Sequence, residues 1–281
     1  MSSGVEWGAS FASASTSAMN YYDEIMVPRL FEPWAELLLN ELEPLAGQSL
    51  LDIACGPGTV TRLAALRTGI SGRVTGCDLS PAMLELARSK SSIESSAPID
   101  YLLCPADSLS VPDKDFDLVT CQQGLQFFPN RSEALAEMRR VLRPGGKLGI
   151  SVWCDIEQCP PFAALALALS EVVGRETADT YRSGPWGFSN SETLFQIVTD
   201  AGFSNVKVHR YEKPLIFEGG FEQLMLTLHS TTVADTIAKL SQADRVALAK
   251  AAEDATRSIT REGVVHSYAT SNILTATVND K

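Results

Sequence analysis

The chain has 281 residues, of which 45% are hydrophobic and 20% are charged, and 23 Lys and Arg residues against 34 Asp and Glu residues give a net charge of −11. This length allows one large domain or two small ones, and the composition is typical of a globular protein with a buried core rather than of a disordered chain. Because Lys and Arg are in deficit, the chain has no excess positive charge for a phosphate backbone, and we expect no nucleic-acid partner.

The apolar runs and the cysteines indicate a cytoplasmic protein. The longest apolar run, residues 162–169, is far shorter than the roughly 20 residues that span a bilayer, so we expect no membrane partner. Residues 1–20 lack the basic and apolar regions of a signal peptide and are predicted to be a poorly ordered lead-in. The cysteines lack paired spacing, and we expect reduced thiols rather than disulfides or metal ligands at Cys55, Cys77, Cys104, Cys121, Cys154 and Cys159.

Strand and helix patterns alternate as far as residue 153. A first helix is predicted over residues 27–42, where apolar residues recur at helical spacing. Short apolar runs predict strands over residues 49–54, 73–78, 99–104, 116–121 and 147–153. Helices are predicted between them over residues 59–68, from Pro81 with Ser80 as N-cap, and over 132–142 with Ser132 as N-cap and Pro144-Gly145-Gly146 as its end. This alternation predicts right-handed βαβ units in a parallel, doubly wound sheet.

The second half of the chain is less regular. Helices are predicted over residues 162–173, 192–201, 221–229 and 244–258, the second of them capped by Ser191. Two further strands are predicted over residues 205–211 and 268–278, which brings the sheet to seven strands. Because no Pro/Gly-rich linker divides the chain, we expect one α/β domain with a mostly parallel seven-stranded sheet and a helical cap, rather than two independent domains.

Polar and glycine residues follow the predicted strands, where ligands bind in open α/β sheets. Gly56 and Gly58 come after the first strand, and glycines there let a ligand approach the backbone. Asp78 ends the second strand, 78 − 58 = 20 residues past Gly58, and an acidic residue at this offset can accept hydrogen bonds from both hydroxyls of a ribose. With Asp107 after the third strand and Gln122 after the fourth, these residues outline a nucleoside-containing ligand.

The glycine pattern bears on which nucleoside binds. A dinucleotide fingerprint has a third glycine where this chain has Thr61, and Pro57 lies between the two glycines that are present. The chain also has no Gly-Lys-Ser or Gly-Lys-Thr sequence of a P-loop. Both features weigh against NAD(P) and against a bound nucleoside triphosphate.

Four motifs resemble those of the class I S-adenosylmethionine-dependent methyltransferases, and most closely the branch related to ubiquinone/menaquinone methyltransferases. In chain order they are Leu51-Asp-Ile-Ala-Cys-Gly-Pro-Gly-Thr, Gly76-Cys-Asp-Leu-Ser, Pro105-Ala-Asp-Ser-Leu and Leu142-Arg-Pro-Gly-Gly-Lys-Leu. The resemblance covers about residues 48–153 and implies a Rossmann-like methyltransferase fold with S-adenosyl-L-methionine as cofactor. We therefore expect a lid segment over residues 1–45, a cofactor-binding core over 46–155, and cap helices with the remaining antiparallel strands over 156–281.

The resemblance implies a cofactor-binding role for residues at each strand end. Gly56 and Gly58, with neighbouring Ala54, are implied to lie under the methionine part of the cofactor. Asp52 is implied to order this loop and the amino group, although a purely structural role fits a buried carboxylate equally well. Gln122 is implied to offer its backbone carbonyl to the ammonium.

The nucleoside end of the cofactor is implied to contact residues after the second and third strands. Asp78 holds the ribose hydroxyls in this scheme, and Leu79 and Met83 lie on either side of the adenine, with a core position as the alternative for Met83. Asp107 accepts from the adenine amino group. Its neighbours complete the predicted set: Ala106 and Ser108.

The acceptor side carries no motif, so its candidates follow from position and side-chain type, with ordinary packing as the alternative for each. The predicted acceptor-binding residues are Tyr21, Tyr22, Gln126, Phe127, Trp153 and Trp186. The tyrosines would form part of an N-terminal lid. His229 is the better candidate for a general base among the histidines, and Tyr22 is a second candidate, whereas His209 is predicted to be structural.

These observations predict a methyltransferase that acts on carbon or oxygen of a small aromatic or quinone-like metabolite, as in secondary metabolism, with nitrogen left open. We expect no metal, and the oligomeric state, a homodimer included, is open. Two alternatives stay beside this prediction. One is an NAD(P)-dependent oxidoreductase on a Rossmann fold, and the other is a protein that binds S-adenosylmethionine without transferring its methyl group.

Overall fold

The computed structural model describes residues 21–279, and the predicted lead-in of residues 1–20 lies outside the described residues. Its centre is one mixed sheet in the order β3-β2-β1-β4-β5-β8-β6, with the short β7 paired to β8. The strands are β1 Ser49–Ile53, β2 Arg73–Asp78, β3 Ile99–Leu103, β4 Phe116–Gln122, β5 Leu142–Trp153, β6 Ser204–Phe217, β7 Thr260–Arg261 and β8 Val264–Thr277. The predicted seven-stranded sheet is confirmed, with the two-residue β7 as an addition.

Strand direction places the functional edge of the sheet. The strands β1 to β5 run parallel, β8 runs antiparallel to β5, and β6 runs antiparallel to β8. Because the chain leaves β1 toward β2 on one side and returns to β4 on the other, the strand order reverses between β1 and β4. Such a reversal opens a crevice at the carboxyl ends of the strands.

Helices cover both faces of the sheet. The α-helices are α1 Glu32–Leu42, α2 Thr59–Thr68, α3 Pro81–Ser89, α4 Arg131–Val141, α5 Pro160–Val172, α6 Arg175–Ser183, α7 Ser191–Asp200, α8 Gly220–Leu226, α9 Ala234–Ala238 and α10 Gln242–Thr256. One face buries apolar residues of α1 and α2, such as Leu39 and Ala64, against β1 and β2. The other face buries α4 and α7, through Leu135 and Leu194, against β4 and β5. A third apolar cluster joins α5, α8 and α10 into the cap.

The chain enters the domain through a π-helix, Tyr22–Phe31, which continues directly into α1. Pro28 lies inside it and has no N–H to donate, and a proline ring collides with the preceding turn of a regular α-helix. The wider π-helical turn accommodates this residue, and such turns are frequent at functional sites. The predicted helix over residues 27–42 is therefore confirmed in position but differs in geometry over its first turns.

Three predicted helix boundaries were wrong. Asn130, rather than Ser132, precedes α4. Asn190, rather than Ser191, caps α7, since its side chain accepts a 2.8 Å hydrogen bond from the Thr193 N–H. Pro144-Gly145-Gly146 does not end α4, which stops at Val141; it lies in the opening residues of β5, where the pairing with β4 shifts register.

The cap contains two helices that periodicity did not predict. In α6, only Ala178 and Tyr181 are buried, so the apolar stripe that would have marked the helix is too short to detect. The other is α9, which spans five residues. The helix predicted over residues 221–229 divides into α8 and a 3-10 turn at Thr227–Ser230. Within residues 21–279, none of the helices combines the length and the apolar character needed to cross a membrane.

Candidate functional site

A cavity of about 480 Å³ lies at the carboxyl ends of the parallel strands β1 to β5, covered by the π-helix and the cap; we call it the carboxyl-edge cavity. The sequence-predicted residues that line it are Tyr22, Asp52, Ala54, Gly56, Asp78, Leu79, Met83, Ala106, Asp107, Gln122, Gln126, Phe127, Trp153 and Trp186. Four others lie outside the lining: Gly58, Ser108, Tyr21 and His229. The structure thus brings most of the predicted set to one place.

The loop after β1 turns sharply because three of its residues adopt left-handed backbone angles. The φ values are 55° at Ala54, 52° at Gly56 and 81° at Gly58. A Cβ added to Gly56 would meet no atom within 4 Å, so this backbone faces open space in the cavity. A Cβ at Gly58 would lie 2.5 Å from the hydroxyl of Tyr101, so this glycine serves close packing at the start of α2.

Asp52 is a buried carboxylate at the base of the cavity. The hydroxyl of Thr61 donates to its Oδ2 at 2.7 Å, and the hydroxyl of Thr120 donates to its Oδ1 at 2.8 Å. Burial raises the pKa of Asp52 to about 6, against the opposing effect of these two donors. The carboxylate is therefore fixed in orientation and responsive to any positive charge placed beside it.

Asp78 ties the loop after β1 to the loop after β2. Its Oδ2 accepts from the Gly56 N–H and its Oδ1 from the Ser80 N–H, both at 2.8 Å. Burial raises the pKa of Asp78, and the backbone donors oppose that rise. Because each carboxylate oxygen can accept a second hydrogen bond, both oxygens can still bind ribose hydroxyls.

Residues that follow β2 and β3 line one part of the cavity. Leu79 is 57% exposed, whereas Met83 is buried on α3. Ala106 and Asp107 line the cavity after β3, and neighbouring Ser108 lies outside the lining. This exposed apolar surface beside a carboxylate suits a flat base with an exocyclic amino group.

Aromatic side chains wall the other end of the cavity. The rings of Phe31 and Trp153 lie 6.4 Å apart, and those of Phe162 and Trp186 lie 5.2 Å apart. Gln122 at the end of β4 holds this wall to the π-helix, since its Nε2 donates to the Phe31 carbonyl at 2.8 Å. The cavity thus has two parts: a polar cradle around Asp52 and Asp78, and an apolar chamber walled by these aromatic rings.

Neither candidate base is well suited to that role, because Tyr22 keeps its proton and His229 lies outside the lining. Tyr22 lines the cavity and stacks on Phe31 at 5.1 Å, but burial, together with Asp78 and Asp23, raises the pKa of its phenol. His229 lies in the 3-10 turn at Thr227–Ser230, where burial and then Arg245 lower its pKa. Its neighbours Ser230 and Thr231 line the cavity instead.

Tyr21 acts from outside the lining. Its hydroxyl donates to the Gln223 carbonyl at 2.6 Å and so joins the π-helix to the cap. Burial raises the pKa of Tyr21 to about 12.

Several lining residues were missed by sequence reasoning. Met26 and Leu30 lie four residues apart, one just before and one inside the predicted first helix, and this helical spacing was available as a signal. Gln123 directly follows Gln122 and was passed over. Ser230 and Thr231 carried no local signal, because only the folding of the cap brings them to the cavity.

Comparison with known proteins identifies the family. Residues 51–150 match the family model described as a methyltransferase domain. The ubiquinone/menaquinone biosynthesis C-methyltransferase UbiE of Chromobacterium violaceum is 32% identical over 205 residues, which cover 69% of this chain and 82% of that protein. An uncharacterized 37.1 kDa protein in transposon TN4556 of Streptomyces fradiae is 32% identical over 199 residues, and the match spans 70% of this chain and about half, 55%, of that protein.

Among solved structures, phosphoethanolamine N-methyltransferase 2 of Haemonchus contortus, in complex with phosphomonomethylethanolamine and S-adenosylhomocysteine, has the same fold. The TM-score is 0.58 at 19% identity, and the match covers 93% of this chain and 57% of that chain. The family model, the UbiE similarity and the shared fold agree with the four motifs and with the cradle at the strand ends. The chain belongs to the class I S-adenosylmethionine-dependent methyltransferases related to UbiE, and S-adenosylmethionine is its cofactor.

Proposed function

We propose that this methyltransferase transfers a methyl group to carbon or oxygen of a small aromatic or quinone-like metabolite, nitrogen being the less favoured target. The observation that carries the proposal is the continuity of the carboxyl-edge cavity, in which the carboxylate cradle of Asp52 and Asp78 opens into the chamber walled by Phe31, Trp153 and Trp186. A flat apolar acceptor in that chamber would lie against aromatic faces.

The residues of the cradle fit S-adenosylmethionine. The open space above Gly56 leaves room for the methionine part, Asp52 would face the ammonium, and Asp78 would accept from the ribose hydroxyls. Asp107, with Ala106, would bind the adenine edge. When bound, the cofactor supplies an electrophilic methyl carbon, which leaves its sulfur as the bond to the acceptor forms.

The chain contributes positioning and exclusion of water rather than a dedicated base. Aromatic faces such as those of Phe31 and Trp153 attract a sulfonium and keep water away from it. We propose that His229 supports the turn that presents Ser230 and Thr231, and that Tyr22, whose phenol holds its proton, acts as a wall. An electron-rich acceptor would need no more than this: its carbon or oxygen would bond to the methyl carbon as the bond to sulfur breaks, and the proton that this atom carried would pass to water.

The charges in the cavity disfavour a phosphorylated acceptor such as the one in the Haemonchus contortus complex. Among residues 21–279, every charged side chain of the lining is a carboxylate: Asp52, Asp78 and Asp107. We also propose a cytoplasmic location, which the six free, buried cysteines support.

A transfer assay with methyl-labelled S-adenosylmethionine tests the proposal. We expect label in phenols or hydroquinones of one or two rings and none in phosphoethanolamine. Asp78→Asn should weaken cofactor binding by tenfold or more, because the ribose hydroxyls lose a charged acceptor. Asp100→Asn, at an exposed position of β3, is the matched control and should behave as wild type. Label in phosphoethanolamine alone, or transfer that is indifferent to Asp78→Asn, would contradict the proposal.

A further inference from the structure

A chain of three side chains connects the backbone of the sheet to the acceptor end of the cavity; we call Ser271, Gln123 and Gln126 the amide relay. The Ser271 hydroxyl on β8 donates to the Val152 carbonyl at 2.8 Å. The Gln123 Nε2 donates to Ser271 Oγ at 3.0 Å, and the Gln126 Nε2 lies 3.4 Å from Gln123 Oε1. Gln123 is held in a left-handed backbone conformation, with φ of 52°, which few residues other than glycine adopt.

The first hydrogen bond fixes the direction of all the others. A backbone carbonyl only accepts, so the single hydroxyl hydrogen of Ser271 must point to Val152, or to the Asn272 carbonyl 3.4 Å away. Ser271 Oγ is then an acceptor toward Gln123, whose Nε2 must face it and whose Oε1 must face Gln126. The amide of Gln126 therefore turns its Nε2 inward to the relay and leaves its Oε1 as the outer end.

This outer end has no partner in the described structure. Gln126 is 6% exposed and lines the cavity, and its Oε1 accepts no hydrogen bond from residues 21–279. The Oγ of Ser230, on the cap side of the same cavity, also has no partner in the described part of the chain, and Ser230 is 8% exposed. A buried acceptor without a donor is unfavourable, so an occupant that donates a hydrogen to Gln126 Oε1 removes that cost.

Charge narrows the class of occupant further. The charged lining of the described residues consists of the three carboxylates Asp52, Asp78 and Asp107, and residues 1–20 contain no Lys, Arg or His. An anionic acceptor would therefore enter the cavity against like charges, and the described lining offers it no Lys, Arg or His side chain to pair with.

We infer that the amide relay selects a neutral aromatic acceptor that carries a hydroxyl or N–H group, which donates to Gln126 Oε1, while Ser230 bonds a second polar group. The inference rests on the proposed function, because it assumes an aromatic occupant in the chamber. Gln126 is then a specificity-determining residue, and Gln123 and Ser271 are positioning residues that act through it.

Three small probes test the inference on the protein saturated with S-adenosylhomocysteine: 1-naphthol, 1-methoxynaphthalene and 1-naphthoate. Their dissociation constants can be measured by titration calorimetry without turnover. We expect 1-naphthol to bind about tenfold more tightly than 1-methoxynaphthalene, which has no hydrogen to donate, and 1-naphthoate to bind the weakest. In Gln126→Leu, the ratio of the dissociation constants of 1-methoxynaphthalene and 1-naphthol should fall to near one, while 1-methoxynaphthalene binds as it does to wild type. This comparison distinguishes the loss of the hydrogen bond from the effect of the larger methoxy group.

Ser271→Ala tests the relay itself, because Ser271 does not line the cavity. Without the carbonyl-anchored hydroxyl both amides can reverse, so the naphthol preference should fall, and Ser271→Thr should restore it. Gln196→Leu, an exposed glutamine on α7, is the matched control and should leave all constants unchanged. The affinity for S-adenosylhomocysteine, measured in parallel, reports folding, and Ser271→Ala decides the question if Gln126→Leu does not fold.

The outcomes separate the inference from the proposed function. Three results would overturn the inference alone. They are equal binding of 1-naphthol and 1-methoxynaphthalene to wild type, a preference for 1-naphthol that persists in both Gln126→Leu and Ser271→Ala, and tight binding of 1-naphthoate. Failure of all three aromatics to bind a protein that still binds S-adenosylhomocysteine would overturn the aromatic acceptor class, and the inference with it.

Discussion

We expect Asp52 to make cofactor binding dependent on pH. Its pKa is raised to about 6 by burial, so the carboxyl group is mostly protonated at pH 5 and ionised at pH 7.5. If it faces the cofactor's ammonium, only the ionised form binds well, and affinity should be lost as the pH falls through 6. We expect S-adenosylhomocysteine to bind about tenfold more weakly at pH 5 than at pH 7.5, as fluorescence titration would show.

Two substitutions isolate this effect. Asp52→Asn should weaken the binding of S-adenosylhomocysteine at pH 7.5. It should also abolish the part of the affinity difference between pH 5 and pH 7.5 that the Asp52 carboxyl group causes. Thr120→Val deletes a hydroxyl that donates to the carboxylate, which should raise the pKa of Asp52 further and move the loss of affinity to higher pH. An unchanged pH profile in Asp52→Asn would remove Asp52 from the ammonium site.

Gly124 is required where two loops of the site meet. A Cβ at this position would lie 2.6 Å from the Cβ of Ala54 and 3.0 Å from the sulfur of Cys121. Gly124→Ala should therefore force apart the loops after β1 and β4, at a cost of about 1–3 kcal/mol in the free energy of unfolding, and should impair cofactor binding. Gly69→Ala, at a φ of 64° in open space, should cost about 1–2 kcal/mol without affecting binding. Chemical denaturation and calorimetry would measure both, and a normal affinity in Gly124→Ala would refute the argument.

At the scale of elements, ion pairs hold the π-helix over the cavity. Asp23 pairs with Lys90 at 2.6 Å, and both side chains are largely buried, whereas Arg29 pairs at 2.7 Å with the exposed Glu218. We expect Asp23→Asn to raise the dissociation rate of S-adenosylhomocysteine up to about fivefold, because a partly exposed pair contributes at most about 1 kcal/mol. Glu218→Gln is the comparison and should have a smaller effect. Stopped-flow rates that match wild type in Asp23→Asn would show that the π-helix does not govern release.

The elements of the first half were predictable because their signals are local. The bounds of α2 and β2 match the predicted ranges, and Ser80 caps α3 through a hydrogen bond from the Met83 N–H as expected. The error at Pro144-Gly145-Gly146 has a local cause too, since these residue types suit both a helix end and an irregular strand start.

At the scale of the whole molecule, the acceptor end could not be derived from local pattern. Gln123 donates a hydrogen bond to Ser271, which lies 148 residues later in the sequence. Ser230 lines the cavity only because the cap packs over it. His229 was singled out by residue type, but the 3-10 turn places its neighbours, rather than His229 itself, against the cavity. The cofactor end, by contrast, depends on strand ends that the parallel sheet necessarily brings together.

A crystal structure with S-adenosylhomocysteine bound would test the central claim most directly. The account predicts both ribose hydroxyls within hydrogen-bond distance of the Asp78 carboxylate, the amino group beside Asp52, and the sulfur directed at the aromatic chamber of Trp153 and Trp186. A nucleoside placed away from Asp78, or a sulfur directed to solvent, would contradict it.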